Sequence, residues 1–177
     1  MACIKTLNKA ITYDCQPGSV GIAEMYLINF DDVTSVTGGV LSDVLTITLK
    51  SGAKTVPVEC YKNGAKFTEA LKLSDVSAGL DQSIMFTLYD KAANSRMIIK
   101  ALMSGRFMAA VKFNDINAVK QLVGYKCGLE ISQADTDSSA AGGFTTITIK
   151  TPDDASGENR LGLNDTAWNT IVSAKLA

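Results

Sequence analysis

The sequence predicts a mainly β fold, a β-sandwich or β-barrel with one flanking α-helix. Seven short segments have strand character, because apolar and polar residues alternate along them or β-branched residues dominate. Residues 91–104 instead place apolar side chains at spacings of three and four, which is typical of a helix. A chain of 177 residues fits one domain, so we expect residues 1–177 to form a single unit.

Turn signals and alternation locate the strands. Residues 44–50 alternate before the turn signal Ser51-Gly52, and residues 55–60 return as a partner strand. Pro57 places that partner at a sheet edge or a bulge. The seven predicted strands are residues 20–30, 44–50, 55–60, 80–89, 107–113, 124–132 and 144–150.

The predicted helix has one apolar face. Its members are Met97, Ile98, Ala101 and Leu102. Gly105 follows the helix, at the position where a left-handed residue commonly ends one. A second pattern begins near Asn164-Asp165 and contains Trp168, the single tryptophan. Residues 164–177 fit either a helix or a terminal strand, and both interpretations stay open.

Three long segments of mainly small and polar residues, 34–43, 133–143 and 152–160, are predicted to be loops. Loops this long are uncommon in a compact monomer and often serve a function. Contacts with neighbouring copies of the chain would order loops of this kind, so we expect an assembly.

Charge and composition exclude several classes of protein. The chain has 17 basic and 18 acidic residues, without the basic excess that favours nucleic-acid binding. No stretch approaches the roughly 20 apolar residues that span a bilayer, and the first residues lack a signal-peptide pattern. We therefore expect no membrane association, folding in a cytoplasm, and reduced thiols rather than disulfides. The four thiols are Cys3, Cys15, Cys60 and Cys127.

Acidic residues are the first candidates for chemistry. The chain has no histidine, which removes the commonest general base and metal ligand. Asp31-Asp32 is a carboxylate pair suited to a metal or to acid–base catalysis, but a solvated strand end is the favoured interpretation. The acids in the predicted loops do not fit the calcium-loop pattern and are also interpreted as solvated. They are Asp135, Asp137, Asp153 and Asp154.

The remaining candidates also have plain structural interpretations. Cys127 beside Lys126 is a possible nucleophile, but no imidazole is present to activate it, and a buried thiol is favoured. The methionines around the helix, Met97, Met103 and Met108, suit a binding groove or, as we favour, flexible filling of the core. Trp168 either anchors an interface or attaches the last segment to the core. No nucleotide-binding or hydrolase motif is present, so we predict no catalytic, cofactor or metal site.

The order of elements resembles that of phage tail tube (major tail) proteins. The resemblance runs from the strand at residues 20–30, through the strand–helix–strand unit, to residues 124–132, GYKCGLEIS. A Gly-rich loop and a Thr/Ile strand follow that stretch. The resemblance implies a β-sandwich or β-barrel in which six copies form a ring, the sheets join into an inner barrel, and rings stack into a hollow tube.

The same resemblance implies partners and a location. The partners are copies of this chain, other tail or neck proteins, and DNA that passes through the tube without specific binding; the location is the virion. Acids such as Asp31, Asp32 or Glu59 are expected to face the lumen and repel phosphate. Members of the family often project a long hairpin onto the next ring, and residues 34–55 with their partner strand are the expected counterpart.

Two other functions are compatible with this sequence. A capsid decoration protein or a head–tail connector would share its chemistry but differ in symmetry. A small hydrolase would need a cleft with two carboxylates, which lie about 5–9 Å apart in glycosidases.

Overall fold

The computed structural model describes residues 21–38, 43–60, 64–73, 78–89, 93–115, 117–137, 144–153 and 160–176. These residues form eleven strands and two helices. The elements are β1 Ile22–Asn29, β2 Val33–Gly38, β3 Asp43–Leu49, β4 Thr55–Val58, β5 Ala65–Leu73, β6 Ala78–Leu88, α1 Ala93–Ser104, β7 Phe107–Phe113, β8 Lys120–Val123, β9 Glu130–Thr136, β10 Thr145–Lys150, β11 Leu161–Leu163 and α2 Asp165–Ser173. The prediction of a mainly β fold with a flanking helix is confirmed.

The strands form two sheets. The larger has the order β2-β3-β11-β8-β7-β1-β4, and the smaller has the order β5-β6-β10-β9. Every pairing is antiparallel except that of β11 with β3. Pro57 lies in β4, at one end of the larger sheet, as the sequence predicts.

The inner core lies between the two sheets. Met25 and Leu27 of β1 face it, and they meet buried side chains of β6 and β10 such as Phe86 and Ile147. The alternate residues of β1, Tyr26 and Ile28, belong to a second core on the other face of the larger sheet. β1 is therefore covered on both faces, which explains its nearly continuous apolar sequence.

Helix α2 covers that second face. Ala167, Trp168 and Ile171 are buried against the sheet, at the three and four spacing of one helix face. Asn164 starts the helix, because its side-chain oxygen accepts a hydrogen bond from Ala167 N at 2.8 Å. The open choice for this segment is thus resolved as a helix.

Helix α1 packs differently from the prediction. Leu102 is buried in the inner core and Ile99 packs partly against it. Met97 and Met103 are each 69% exposed, so their assignment to the core is wrong, whereas Met108 on β7 is buried as expected. Gly105 is not left-handed; a Cβ there would lie 2.8 Å from the Phe107 ring, so it is close packing that requires glycine.

Several boundaries also differ from the prediction. Residues 34–38 of one predicted loop belong to β2, and residues 133–136 of another belong to β9. The strand predicted at residues 124–132 is confirmed only at residues 130–132, which begin β9. Its first part is a turn: Gly124 and Gly128 have φ of 73° and 74°, and Gly128 N donates to Gly124 O at 3.1 Å. Strands β2, β5, β8 and β11 were not predicted.

Candidate functional site

Strands β5 and β6 form a hairpin longer than its neighbour. β5 stays paired with β6 as far as Leu73 opposite Ala78, whereas β10 pairs with β6 only as far as Lys150 opposite Ser83. Residues 70–73 and 78–81 therefore extend beyond β10 as a two-stranded ribbon, which we call the arm. Four residues of strand correspond to about 13 Å. Residues 34–55 were expected to form the long hairpin; β2 and β3 of that region pair with each other at the end of the larger sheet, and their projection onto a next ring stays a prediction.

The arm carries two leucines in an exposed position. Leu71 is 66% exposed and Leu73 is 70% exposed. Residues two apart on a strand point to the same face, so both leucines lie on one side of the arm. Together the two leucines place a small apolar patch on one face of the arm.

A buried polar network holds the base of the arm. Gln82 is fully buried: its side-chain oxygen accepts from Gly124 N at 3.0 Å, and its side-chain nitrogen donates to Glu69 Oε1 at 3.3 Å. Its backbone N donates to Thr151 Oγ1 at 3.1 Å, and its carbonyl accepts from Thr151 N at 2.9 Å. Glu69 also pairs with Arg160 at 3.5 Å.

This network joins the two sheets at the point where the arm begins. It connects β5, β6, the turn at Gly124 and the residue that follows β10. Its members were not singled out from the sequence, because they lie far apart in the chain and form no motif. Their fixed hydrogen bonds make the arm a rigid extension of the sheet at its base.

Four of the described strands end the two sheets. β2 and β4 are the end strands of the larger sheet, and β5 and β9 are those of the smaller sheet. The unpaired side of an end strand presents backbone groups to which another strand can bind. β2 stands out, because its sequence VTSVTG has neither a charge nor a proline.

The predicted acidic pair lies at a strand end. Asp31 and Asp32 form a single 3₁₀ turn after β1, where Asp31 is exposed. Asp32 Oδ2 accepts a hydrogen bond from Asn29 Nδ2 at 2.8 Å, so this carboxylate stabilises the local turn. Glu59 is exposed beside β4.

The predicted loop acids are separate from that pair. Asp135 accepts from Gln133 Nε2 at 2.5 Å and Asp153 accepts from Lys150 Nζ at 2.5 Å. Asp137 is exposed just after β9, and Asp154 lies outside the described residues. Among the described residues no group of three potential ligands is placed to hold a metal ion.

A polar depression of about 300 Å³ contains two carboxylates, Asp43 and Asp165. Lys120 binds Asp165 directly, and this hydrogen bond and charge lower the pKa of the Asp165 carboxyl. A general acid needs a raised pKa, so Asp165 has the opposite of the required property.

The two described cysteines are free thiols. Cys127, for which a buried thiol was favoured, is half-buried in the turn between β8 and β9. Burial, together with the charges of Glu24 and Glu59, raises the pKa of Cys60 to about 11. Cys60 is therefore a neutral thiol near pH 7, without the thiolate that nucleophilic attack requires.

Comparisons with known proteins add no relative. No family model, no curated protein and no solved structure matches this chain. In the part of the chain that the structure describes, neither helix is long and apolar enough to cross a bilayer.

Proposed function

We propose that this chain is a structural protein that assembles with copies of itself, as the subunit of a phage tail tube. The observation that carries the proposal is the arm, a two-stranded ribbon with Leu71 and Leu73 exposed on one face. Burying two leucines of this exposure against another protein contributes on the order of 2–3 kcal/mol. No catalytic role is assigned to any residue.

The end strands support the same proposal. β2, β5 and β9 each have one neighbouring strand among the described elements. An open strand edge is a liability for a monomer, and closure into a ring removes it. The arm of one copy and a different surface of the next would form a heterologous contact, which generates rings or stacked filaments.

The charge distribution suits a conduit for DNA. Asp31 and Glu59 are exposed carboxylates, and the whole chain has a net charge of −1. A lumen lined with acids repels phosphate, whereas a basic lining would hold the DNA. In this proposal DNA passes without specific binding, the protein belongs to the virion, and other tail or neck proteins cap the tube.

A ring that does not stack is the second candidate. The open edges would serve a capsid decoration protein or a head–tail connector equally well. The arm favours the tube, because a ribbon that reaches beyond the sheet suits a contact between successive rings. The number of subunits per ring and the presence of stacking separate the two candidates.

The experiment removes the exposed leucines. Leu71→Ser/Leu73→Ser is expected to weaken self-association measured by sedimentation, while circular dichroism stays unchanged because the side chains are exposed. Met97→Ser/Met103→Ser is the matched control, since these methionines have the same exposure on α1. Equal losses in both variants would mean that the arm is not a specific contact, and no loss in the leucine variant would contradict its role.

A further inference from the structure

Strand β4 ends the larger sheet, but its outer side is already occupied. β4 lies beside β1, with Ile28 opposite Thr55 and Tyr26 opposite Pro57. On the side away from β1, the segment that follows α2 runs parallel to β4 and bridges Thr55 at Lys175. We call residues 174–176 the strap.

The strap uses both backbone groups of Thr55. Thr55 N donates to Ala174 O at 3.0 Å, and Leu176 N donates to Thr55 O at 2.8 Å. The Thr55 side chain donates to Ile171 O at 2.9 Å, and the residue is fully buried. Thr55 is therefore closed to any further strand.

Pro57 closes the next outward position. Residues two apart on a strand direct their backbone N–H and C=O groups to the same side, so the backbone of Pro57 faces away from β1, as that of Thr55 does. Proline has no N–H to donate to a neighbouring strand. Between Thr55 and Val58, β4 therefore offers no outward N–H, and the Pro57 carbonyl is the single outward acceptor that the strap leaves open.

We propose that the strap and Pro57 seal β4 against pairing with a second copy of this chain, so that among the described strands β2, β5 and β9 are left for edge pairing between copies. The second copy as partner rests on the proposed self-assembly. The opposite end of the same sheet, β2, has no charge, no proline and exposed residues at Thr34, Ser35 and Thr37. Copies therefore do not extend this sheet by pairing β2 of one with β4 of the next.

The test opens the edge. Leu176→Pro removes the N–H that donates to Thr55 O, and Pro57→Val restores an outward N–H on β4. The double variant is expected to self-associate at least about tenfold more tightly than wild type in sedimentation equilibrium. Its hydrogen exchange over residues 55–59 should slow as concentration rises. Leu176→Ala, which keeps the N–H, and Pro57→Val alone are the controls, and both should behave like wild type.

The outcomes separate this inference from the proposed function. If the wild type is monomeric and the double variant associates, the result supports the sealed edge and contradicts the proposed self-assembly of the wild type. If the wild type assembles, and the double variant folds but associates no more tightly than the wild type, the sealed edge is overturned and the proposed self-assembly stands. Should the double variant not fold, exchange at Thr55 N–H in wild type decides: slow exchange at every concentration supports the strap, and slowing only on assembly overturns it.

Discussion

Trp168 and Tyr26 meet edge to face on the outer side of the larger sheet, with ring centroids 5.5 Å apart and an interplanar angle of 80°. Both residues are buried, Trp168 in α2 and Tyr26 in β1. This contact fixes α2 on the sheet, and α2 carries the strap that reaches β4. The interpretation of Trp168 as the anchor of the last segment thereby gains support over that of an interface residue.

Removal of the indole ring should destabilise the fold strongly. Trp168→Ala leaves a cavity beside Tyr26, and the free energy of unfolding should fall by about 3–5 kcal/mol. Urea denaturation followed by circular dichroism measures this loss. Tyr125→Ala removes an aromatic side chain that is 38% exposed, so its loss of stability should be clearly smaller than that of Trp168→Ala. A loss below about 1 kcal/mol for Trp168→Ala would contradict the packing described.

Gln82 should be the most sensitive polar residue at the base of the arm. Gln82→Leu leaves the buried Gly124 N–H without its acceptor, at a cost of about 1–3 kcal/mol, and removes the hydrogen bond that Gln82 donates to Glu69 Oε1. Gln133→Leu makes the same change at an exposed position on β9 and is the control. Thermal unfolding that responds equally to both changes would argue against the network as the anchor of the arm.

The thiol of Cys60 should react slowly at neutral pH. Its pKa of about 11 means that the alkylation rate rises steeply through pH 9 and 10, reaches half of its maximum near pH 11 and levels off only above that pH. Peptide mapping after brief iodoacetamide treatment gives this profile. In urea the midpoint should return to about 8.5, the value of an unperturbed thiol. A native midpoint equal to the urea value would show that Cys60 is not shielded.

Acid should remove the contribution of Asp165. Lys120 lowers the pKa of this carboxyl in the folded protein, so the pair stabilises the fold above the ordinary aspartate pKa of about 3.9. That contribution is lost as the pH falls through the lower folded value. Asp165→Asn should lower Tm slightly at pH 7, and the difference from wild type should shrink below about pH 4. Adding Lys120→Gln to Asp165→Asn should lower Tm little further. A difference in Tm between wild type and Asp165→Asn that does not change with pH would refute the pairing.

Most strands could be predicted from the sequence, because alternation of apolar and polar residues and β-branched side chains follow directly from how a strand packs. Residues 107–113 coincide with β7, and the 3–4 spacing located α1. Strand β5, AKFTEALKL, was missed because Ala, Glu, Leu and Lys are strong helix formers, and pairing with β6 overrides that preference. The exposed face of α1 was misjudged because, over residues 96–104, Leu102 is buried and Ile99 is partly buried, whereas Met97, Ile98 and Met103 are exposed.

The association surfaces were less accessible to sequence reasoning. Exposure of Leu71 depends on where β10 ends, and the sealing of β4 depends on contacts between Thr55 and residues more than a hundred positions away. Only Pro57 gave a local signal, which correctly placed β4 at an edge. The exposure of the arm and the sealing of β4 depend on pairing between distant residues, and no short stretch of sequence indicates that pairing.

Electron microscopy of the purified wild-type protein tests self-assembly most directly. Negatively stained particles and cryo-EM class averages at micromolar concentration should show closed rings that stack into tubes with an open lumen. Sedimentation on the same sample should show a matching high-mass species. A protein that sediments as a monomer at every concentration, with no ring in any class average, would contradict the proposal.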